Sequence, residues 1–552
     1  MRKNVFCPYI TGIQNVRKNN TGFGPWFHFK KCENRIWECS IMVINDYKFQ
    51  SIFNDDVKIT NYYIYTVCEK QCHIMTWTAQ QQPFDYLVHF SILDSNFSEK
   101  KVYDSTAKPY MRLESLDPRP PQNFFGSVSS TRIPGHQSTL NMVFFSCNGL
   151  SHATGYKITK PEKHKKPDVM WNQLTAYHLQ DPIHLMIGGG DQIYNDEMWY
   201  HVPCLEKFMK LSRNEMIEYV LDKDEIIEIR NFIFNYYCFH FSRHFMKLIY
   251  HQVPFINVAD DHDYFDGFGS YPSDLQQCPV FKMVGEITHL FFCLFQLHRV
   301  NTHLSEAFVC PIAPRLTLVG FDTRTQRTPN QVLPSNTLEK TLPEKLDQCS
   351  QTTVSVPFNT LLVLFPIPLY YPNISWAPHL LRFLHKCLYH KYTPKFLRKL
   401  ISSKIGVVFN EIDLLDDAMD QMDSYNHRWE RDQILKFFFQ QRKEQVNFLC
   451  GDVHIPSLAY ISEPETGRKF NQITSSAIAN APPSNTFIHI MDYFRHNPKP
   501  EGLEMKFKRF KYNKKRFLRQ RNFCLLQYMP EGQLKAFLMT EKRGKLVLKI
   551  ND

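Results

Sequence analysis

The sequence of 552 residues contains no run of about 18 apolar residues, and its longest apolar stretches, such as residues 361–369, are short enough for a protein core. A membrane-spanning helix is therefore not expected. The first residues, Met1-Arg2-Lys3, are basic, but no apolar segment follows them, so a secretory signal is not expected either. These two absences predict a cytoplasmic protein and leave peripheral attachment to a membrane open.

The chain also lacks a regular cysteine framework and an internal repeat. Its 15 cysteines are scattered, which in a chain without a secretory signal is typical of reduced and mostly buried thiols. Hydrophobic residues make up 43% of the chain and charged residues 22%, as in a globular protein with an ample core. These proportions exclude a largely disordered chain.

Positive charge is abundant, with a net charge of +11, and it is concentrated near the end of the chain. Within residues 499–521 there are ten Lys or Arg and two Glu, and residues 506–521 interleave the bases with Phe and Tyr. One interpretation is a surface for an anionic lipid or a nucleic acid. The simpler one is a solvated edge strand that its lysines protect from pairing with other chains.

Residues 1–137 are rich in β-strand signals. β-branched and aromatic residues alternate with polar ones in residues 64–67, 74–78 and 86–92. We therefore predict an N-terminal β-sandwich accessory domain over residues 1–137. Proline and glycine within residues 118–135 predict a linker at its end.

After residue 137 short apolar runs alternate with longer helical stretches, which predicts an α/β fold. We expect a second domain over residues 138–552, which includes the basic segment and a closing hairpin at about residues 499–552. The apolar runs are 140–146, 183–187, 254–259, 316–320, 361–365 and 446–450, and the helical stretches are 204–250, 281–297, 378–402 and 429–445.

Clusters of polar residues follow several of the apolar runs directly. Each cluster alone is more often a turn or a helix cap. Ligands of open α/β sheets, however, bind beyond the carboxyl ends of the strands, so clusters in this position are expected to meet. Asp191, Asp261, Asp452 and His454 are residue types that could hold two metal ions sharing one carboxylate.

Arginine accompanies these acidic clusters. Arg324 and Arg327 follow the run at 316–320, and a guanidinium fork fits phosphate oxygens. Two cations combined with an arginine would suit an anionic phosphoryl transition state. The sequence therefore points towards phosphate ester chemistry.

The clusters in chain order are Ser146-Cys147-Asn148, Gly190-Asp191-Gln192-Ile193-Tyr194, Asp260-Asp261-His262, Asp322-Thr323-Arg324 and Cys450-Gly451-Asp452-Val453-His454. Together they resemble the conserved blocks of PhoD-like phosphatases, which belong to the calcineurin-like metallophosphoesterase superfamily. Residues 266–272 and 475–483 resemble further blocks of the intracellular eukaryotic branch. The resemblance implies a metallophosphoesterase-type β-sandwich core flanked by helices, in four α/β/β/α layers. It also implies a metal-dependent phosphatase in which a metal-activated water attacks phosphate mono- or diesters.

The resemblance implies which residues hold the metal ions. Asp191 would be the bridging carboxylate, and Cys147 and Tyr194 would complete the shell of one ion, as a thiolate and a phenolate do for ferric iron in bacterial relatives. The metal ligands implied are Cys147, Asp191, Tyr194, Asp261, Asp452 and His454. Iron with calcium is the implied pair of ions, and a manganese or zinc pair is the alternative.

Three further residues receive catalytic roles from the resemblance. His262 would lie over the substrate and stabilise the transition state or protonate the leaving oxygen. Arg324 would hold the phosphate. Asp260 would be a ligand or would orient one.

Two positions depart from the family pattern. The Asp-x-His block of the wider superfamily is absent, and Cys147 stands in its place, which favours the PhoD-like ligand set. The family's Asp-His-Trp is replaced by Asp420-Gln421-Met422, which leaves the role of that segment open.

Two alternative functions remain. The departure at Gln421-Met422 and the basic segment would suit a catalytically impaired scaffold or phosphate-binding protein. The basic segment would also suit a nucleic-acid or phospholipid phosphodiesterase. The phosphatase is favoured because every candidate metal ligand is present.

Overall fold

The computed structural model describes residues 23–45, 50–52, 57–93, 128–149, 168–352, 360–372, 420–441, 444–494 and 499–550. The strands in this part of the chain are β1 (Phe23–Glu33), β2 (Ile36–Asn45), β3 (Gln50–Ile52), β4 (Val57–Val67), β5 (Lys70–Gln80), β6 (Tyr86–Leu93), β7 (Val128–Ile133), β8 (Leu140–Phe145), β9 (Leu185–Gly189), β10 (Phe255–Val258), β11 (Ala307–Ala313), β12 (Leu316–Phe321), β13 (Thr360–Leu364), β14 (Gln445–Cys450), β15 (Ser457–Glu463), β16 (Arg468–Thr474), β17 (Glu504–Phe507), β18 (Asn522–Tyr528), β19 (Leu534–Thr540) and β20 (Gly544–Leu548).

The α-helices within the same described ranges are α1 (Val169–Gln180), α2 (Met198–His201), α3 (Pro203–Phe208), α4 (Arg213–Glu218), α5 (Lys223–Phe241), α6 (His244–Tyr250), α7 (Asp261–Tyr264), α8 (Ser273–Gln276), α9 (Pro279–Leu297), α10 (Leu342–Thr352), α11 (Arg428–Gln441) and α12 (Asn485–Tyr493). A 3-10 turn at Asn195–Glu197 precedes α2, and a π-helical turn at Thr337–Thr341 precedes α10.

Two large sheets form the centre of the protein. The first has ten strands in the order β20-β19-β18-β8-β9-β10-β1-β2-β5-β4, and the second has seven in the order β11-β12-β13-β14-β16-β15-β17. Strands β8, β9, β10 and β1 run parallel in the first sheet, and β12, β13, β14 and β16 run parallel in the second. Parallel neighbours place their carboxyl ends along one edge of each sheet, where α/β proteins bind ligands.

The sheets stack face to face and carry helices on their outer sides. Apolar residues of β8–β10, such as Phe144 and Ile187, share one buried cluster with residues of the second sheet, such as Leu318 and Leu449. A second cluster packs α5 and α9 against the outer face of the first sheet. A third packs α10, α11 and α12 against the outer face of the second. The expected α/β/β/α layering is therefore confirmed.

Strands from the N-terminal region extend the first sheet. β1 pairs in parallel with β10 at His28 and Phe255, and β2, β5 and β4 continue the sheet as antiparallel neighbours. A three-stranded sheet, β3-β6-β7, packs against them through Val88 and Ile133, which share a buried cluster with Trp37. A layered N-terminal β region is thus present, and the domain boundary at residue 137 stays a prediction.

The expected strands of the remaining chain are confirmed. All six apolar runs form strands (β8, β9, β10, β12, β13 and β14), and β18 and β19 form the closing hairpin, followed by β20. The helical stretch at 204–250 is divided among α3, α4, α5 and α6, while α9 and α11 match two further stretches. The stretch at 378–402 lies outside the described residues.

One local prediction was wrong. Part of the expected linker, Val128–Ile133, forms β7 and pairs antiparallel with β6. The pattern of β-branched residues there, with Thr131 and Ile133 buried, outweighs the neighbouring glycines. Residues 118–127 of the expected linker lie outside the described part of the chain.

Helix α9 is long and apolar enough, by length and composition, to cross a membrane, but 67% of its most apolar window is buried inside the protein. Its Phe295 ring stacks on Tyr237 of α5 at a centroid distance of 4.7 Å. The core helix of a globular protein can have the length and composition of a membrane span. Helix α9 is therefore weak evidence for a membrane span.

The basic segment begins on an edge strand. β17 is the last strand of the seven-stranded sheet, and along it Met505 and Phe507 are buried while Lys506 is exposed. Exposed lysine on an edge strand hinders pairing with another chain, which agrees with the simpler of the two interpretations of this segment. An anionic lipid or nucleic acid partner for residues 506–521 stays a prediction.

Candidate metal centre

The predicted site residues meet at one edge of the sandwich. Cys147, Asp191 and Asp260 follow β8, β9 and β10 of the ten-stranded sheet. Arg324 and Asp452 follow β12 and β14 of the seven-stranded sheet. The site is therefore built from both sheets, and every contributing strand presents its carboxyl end.

Asp191 lies at the centre of the arrangement. Three groups of side chains bring potential metal-ligand atoms within 4.8 Å of one another, and Asp191 belongs to each of them. The groups are Cys147, Asp191 and His454; Asp191, Asp261 and His262; and Asp191, Asp260 and Asp452. A carboxylate shared in this way is what a bridging ligand between two cations requires.

The backbone at the site adopts conformations that L-residues usually avoid. Cys147, Asp191, Asp452 and His454 have φ values of 54°, 58°, 62° and 53°, and Ala477 beside them has 68°. Each such residue costs free energy that the surrounding structure must offset, and they are known to concentrate at functional sites. Four of the six predicted metal ligands share this feature.

Two glycines allow the loops to approach closely. Gly190 has a φ of 94°, and a Cβ there would lie 2.5 Å from the Cβ of Asp260. A Cβ at Gly451 would lie 2.6 Å from Ser146 Oγ and 2.7 Å from the carbonyl oxygen of Gly189. Gly190 thus lets two loops of the ten-stranded sheet approach each other, and Gly451 brings the loop after β14 of the seven-stranded sheet against them.

Electrostatics indicate that the site fits a cation. Burial, followed by repulsion from neighbouring anionic groups, raises the pKa values of Asp191 and Asp260 well above the usual range for a carboxyl. Among the described residues, Asp191 Oδ1 and Asp260 Oδ2 are buried without a hydrogen-bond partner. Buried oxygen atoms that converge without donors suit a metal ion, and the mixed oxygen, nitrogen and sulfur donors suit a transition metal.

The thiol and the phenol of the site are also deeply buried. Cys147 Sγ lies 3.0 Å from Ser476 Oγ and 3.4 Å from Asp191 Oδ2, and burial raises its pKa to about 12. Tyr194 OH accepts a hydrogen bond from Asn480 Nδ2 at 2.9 Å and lies 3.2 Å from His454 Nε2. A neighbouring cation would favour the thiolate and phenolate forms that bind metals.

His262 is held by a carboxylate that the sequence analysis did not identify. Its Nδ1 lies 2.6 Å from Asp196 Oδ2, and its ring stacks on Tyr194 at a centroid distance of 3.9 Å. Burial alone would lower the pKa of His262, but Asp196, with help from Asp261, raises it well above its ordinary value. Asp196 lies only two residues after Tyr194, and the rule that a catalytic histidine needs an acidic partner could have identified it.

Arg324 is fully buried within a set of carboxylates. Its Nε donates to Asp260 Oδ1 at 2.6 Å, and its NH2 lies 2.5 Å from Asp420 Oδ2 and 3.7 Å from Asp261 Oδ1. Arg327 NH2 lies 3.0 Å from Asp420 Oδ1. Arg324 is thus a counter-ion to three acids at the site, and Asp420 links both arginines to it.

Asp263 fixes the loop that carries Asp191. Its buried carboxylate accepts hydrogen bonds from the backbone N–H groups of Asp191 at 2.8 Å, Gln192 at 3.1 Å and Asp260 at 2.9 Å. Gln296 Nε2 of α9 donates to it at 2.7 Å. Asp263 directly follows the Asp260-Asp261-His262 block, and the sequence alone assigns it no role.

The segment that departs from the family pattern also reaches the site. Gln421 Nε2 donates to Asp452 Oδ2 at 2.9 Å. Gln421 therefore orients a predicted metal ligand, although the family's histidine and tryptophan are absent. The roles of all nine predicted residues stay predictions, because proximity alone does not assign a role.

Comparisons with known proteins agree with this geometry. A solved structure of PhoD superposes with a TM-score of 0.51 at 10% identity, covering 96% of this chain and 92% of that one, which shows a shared fold. An uncharacterized protein of Saccharomyces cerevisiae, YGR266W, is 23% identical over an alignment of 472 residues, and the match covers 72% of this chain. The chain spans 62% of the length of that yeast relative. The family model of the PhoD related phosphatases matches residues 133–408, which is half of the chain, so the protein belongs to the PhoD-related phosphatase family.

Proposed function

We propose that the protein hydrolyses phosphate esters at the metal centre described above. The observation that carries the proposal is the convergence of three potential ligand groups on Asp191, beside a histidine paired with Asp196. Family membership supports a phosphoesterase, and the finer assignments below go beyond it.

The proposed ligands form two sets around Asp191. Cys147, Tyr194 and His454 would hold one cation, and Asp261 and Asp452 would complete the second. Bound cations would neutralise charge on the phosphoryl group and lower the pKa of a water molecule towards neutrality. A thiol and a phenol in one set favour iron at that position, with calcium in the oxygen-rich set.

His262 is the proposed proton donor to the leaving oxygen. Its pairing with Asp196 keeps the imidazole protonated near neutral pH, and stacking on Tyr194 restricts the ring. A positioned general acid contributes about 10²–10⁴-fold to the rate, most of all for poor leaving groups.

Arg324 and Asp260 are proposed to act as one unit. Their pairing at 2.6 Å places a fixed positive charge beside the carboxylates of Asp260 and Asp261. Arg324 would contact the phosphate while it stays paired with Asp260. Asp260 would orient the neighbouring metal ligand. Loss of Arg324 would leave the buried carboxylates of Asp260 and Asp261 without this counter-ion, whereas loss of Asp260 would leave Arg324 paired with Asp420.

The test uses an aryl phosphate monoester and an aryl phosphate diester as substrates, with and without chelator, together with elemental analysis of protein purified without added metal. We expect hydrolysis that chelator abolishes, and loss of both metal and activity in Asp191→Asn and His454→Ala. Glu531→Gln is the matched control. It removes an exposed carboxylate from the turn between β18 and β19 and should behave as wild type.

One result would contradict the proposed reaction, and another would contradict the proposed ligands. Activity that is equal with and without chelator would exclude a metal-dependent reaction. Two zinc or manganese ions, in place of iron and calcium, would count against Cys147 and Tyr194 as ligands while leaving the reaction itself intact.

A further inference from the structure

A cavity of about 190 Å³ lies beside the metal centre, where β1 of the ten-stranded sheet approaches β11 of the seven-stranded sheet. The end of β10 and the C-terminal part of α9 form two of its walls. Ala259 and Asp322 line it, so it reaches the strand ends that precede Asp260 and Arg324. Neither a predicted metal ligand nor His262 lines the cavity.

Cationic side chains are concentrated at this cavity. Arg299 and Lys345 line it together with the buried amine of Lys30, and Asp322 is the one carboxylate among the described residues that line it. The Lys30 Nζ donates to the carbonyl oxygen of Leu297 at 2.9 Å, and an anion in the cavity would favour its protonated form. The Asp322 carboxylate already accepts hydrogen bonds from the backbone N–H groups of Arg324 at 3.1 Å and Thr325 at 3.0 Å. These bonds fix the position of the carboxylate and leave its charge in place, and the cationic residues that line the cavity outnumber it.

A buried histidine lacks partners at the same place. The His28 side chain lines the cavity and is only 6% exposed. Among the described residues, neither of its ring nitrogens has a hydrogen-bond partner. A buried polar group of this kind costs free energy unless a ligand or ordered water satisfies it. His28 is thus an independent indication that something polar occupies the space.

Most of the remaining lining residues are apolar, and Asn257 and Ser305 are the polar ones. The apolar residues include Ile256, Phe292, Leu304 and Phe308. A cavity of about 150 Å³ with aliphatic and aromatic walls accommodates one benzene molecule, so this cavity has room for one ring and a small polar group. It is smaller than the roughly 300–1,000 Å³ of pockets for drug-sized ligands.

We propose that this cavity is a second binding site, separate from the metal centre, for a small organic anion with an apolar body of about one aromatic ring. The anionic group lies among Lys30, Arg299 and Lys345 and accepts a hydrogen bond from His28. The ring lies between Phe292 and Phe308. This site does not depend on the proposed phosphatase reaction.

The probe is phenylacetate, and phenylacetamide is its neutral match. Binding to the full chain is measured by isothermal titration calorimetry and by ligand-observed NMR in the presence of excess inorganic phosphate. We expect saturable binding of one phenylacetate per chain that phosphate does not displace. Phenylacetamide should bind at least about tenfold more weakly because it carries no charge.

Three variants locate the site. Val309→Phe should fill the cavity and abolish binding. The double variant Arg299→Gln/Lys345→Gln should raise the dissociation constant by about tenfold or more, and it changes no fully buried residue. Lys535→Gln/Lys542→Gln removes two exposed charges elsewhere and should bind as wild type.

Several outcomes would overturn the proposal. They are the absence of saturable binding, equal affinity for acid and amide, displacement by phosphate, or unchanged binding in the Arg299/Lys345 double variant. If Val309→Phe fails to fold, the Arg299→Gln/Lys345→Gln variant still tests whether the anion binds in this cavity. If water alone occupies the cavity, no saturable binding will be observed.

Discussion

His262 Nδ1 and Asp196 Oδ2 lie 2.6 Å apart, and this pair connects the loop after β9 to the first turn after β10. The carboxylate fixes one ring nitrogen and leaves the other to serve the site. Asp196 Oδ1 also accepts a hydrogen bond at 2.6 Å from the backbone N–H of Asp266. Both carboxylate oxygens of Asp196 are therefore engaged in hydrogen bonds, which fixes Asp196 and, through it, the orientation of His262.

We expect Asp196→Asn to lower kcat by about 10–100-fold while the metal content stays that of wild type. The amide cannot raise the pKa of His262, so less of the imidazole is protonated at neutral pH. The decrease should be larger for an alkyl phosphate than for a nitrophenyl phosphate, because a poor leaving group needs the proton more. Steady-state kinetics on the two substrates measure the difference.

The control for this prediction is Asp492→Asn, which removes a carboxylate that pairs with Arg516 near the surface. It should leave both substrates unaffected. An equal loss of activity on the two substrates in Asp196→Asn would contradict the role of His262 as a proton donor.

Asp263→Asn should weaken metal binding without removing any predicted ligand. Burial raises the pKa of Asp263 to about 6, although backbone donors oppose the shift. An amide has one acceptor oxygen in place of two, so some N–H groups of the Asp191 loop would lose their partner, at about 1–3 kcal/mol each. Metal titration monitored by activity should show an increased apparent dissociation constant, and excess metal should restore most of kcat. Failure of metal to restore activity would indicate a direct catalytic role instead.

Gly451→Ala should reduce both activity and stability. The new methyl group would lie 2.7 Å from the backbone carbonyl of Gly189, which cannot move without shifting β9. Overpacking of this kind typically costs about 1–3 kcal/mol in the free energy of unfolding. Chemical denaturation measures the stability change. Gly502→Ala, whose methyl group meets no atom within 4 Å, is the comparison without a close contact, and its φ of 79° adds a backbone strain that Gly451→Ala does not have. A Gly451→Ala protein with unchanged activity would contradict the close approach of the two loops.

Lys30→Met should change the pH dependence of stability. Burial, reinforced by Arg299, lowers the pKa of Lys30 from 10.5 to about 7, so the unfolded chain binds more protons than the folded chain between these values. The folded wild type therefore gains stability relative to the variant as pH rises from 7 to 10. Below pH 7 both states are protonated, and the difference between the two proteins should be constant. Thermal unfolding from pH 6 to pH 10 checks this slope, and a difference in Tm that is constant up to pH 10 would contradict the shift.

Part of the site could be predicted because its chemistry is local in the sequence. Asp191, Asp260 and Asp452 each follow a short apolar run within a few residues, and the strand-end rule then predicts that they meet. Asp420 could not be found in this way. None of the apolar runs identified in the sequence ends beside it, and it reaches Arg324 across 96 positions of the chain through the tertiary fold, which buries both.

The N-terminal region shows a similar limit for the fold. Alternating residues in 64–67 and 74–78 predicted strands correctly, since side-chain alternation is a property of each strand alone. The pairing of β1 with β10, between His28 and Phe255, joins distant parts of the chain. No local pattern encodes which edge of a sheet a distant strand covers.

The division of the centre between the two sheets has a consequence for the stability of the whole protein. Cys147 and Asp191 belong to loops of one sheet, and Asp452 and His454 to loops of the other. A cation held by both pairs, as proposed, would act as a non-covalent crosslink across the sandwich. The free energy of cation binding would then be added to the packing between the sheets, and the free energy of unfolding would rise with the logarithm of the free cation concentration once this exceeds the dissociation constant.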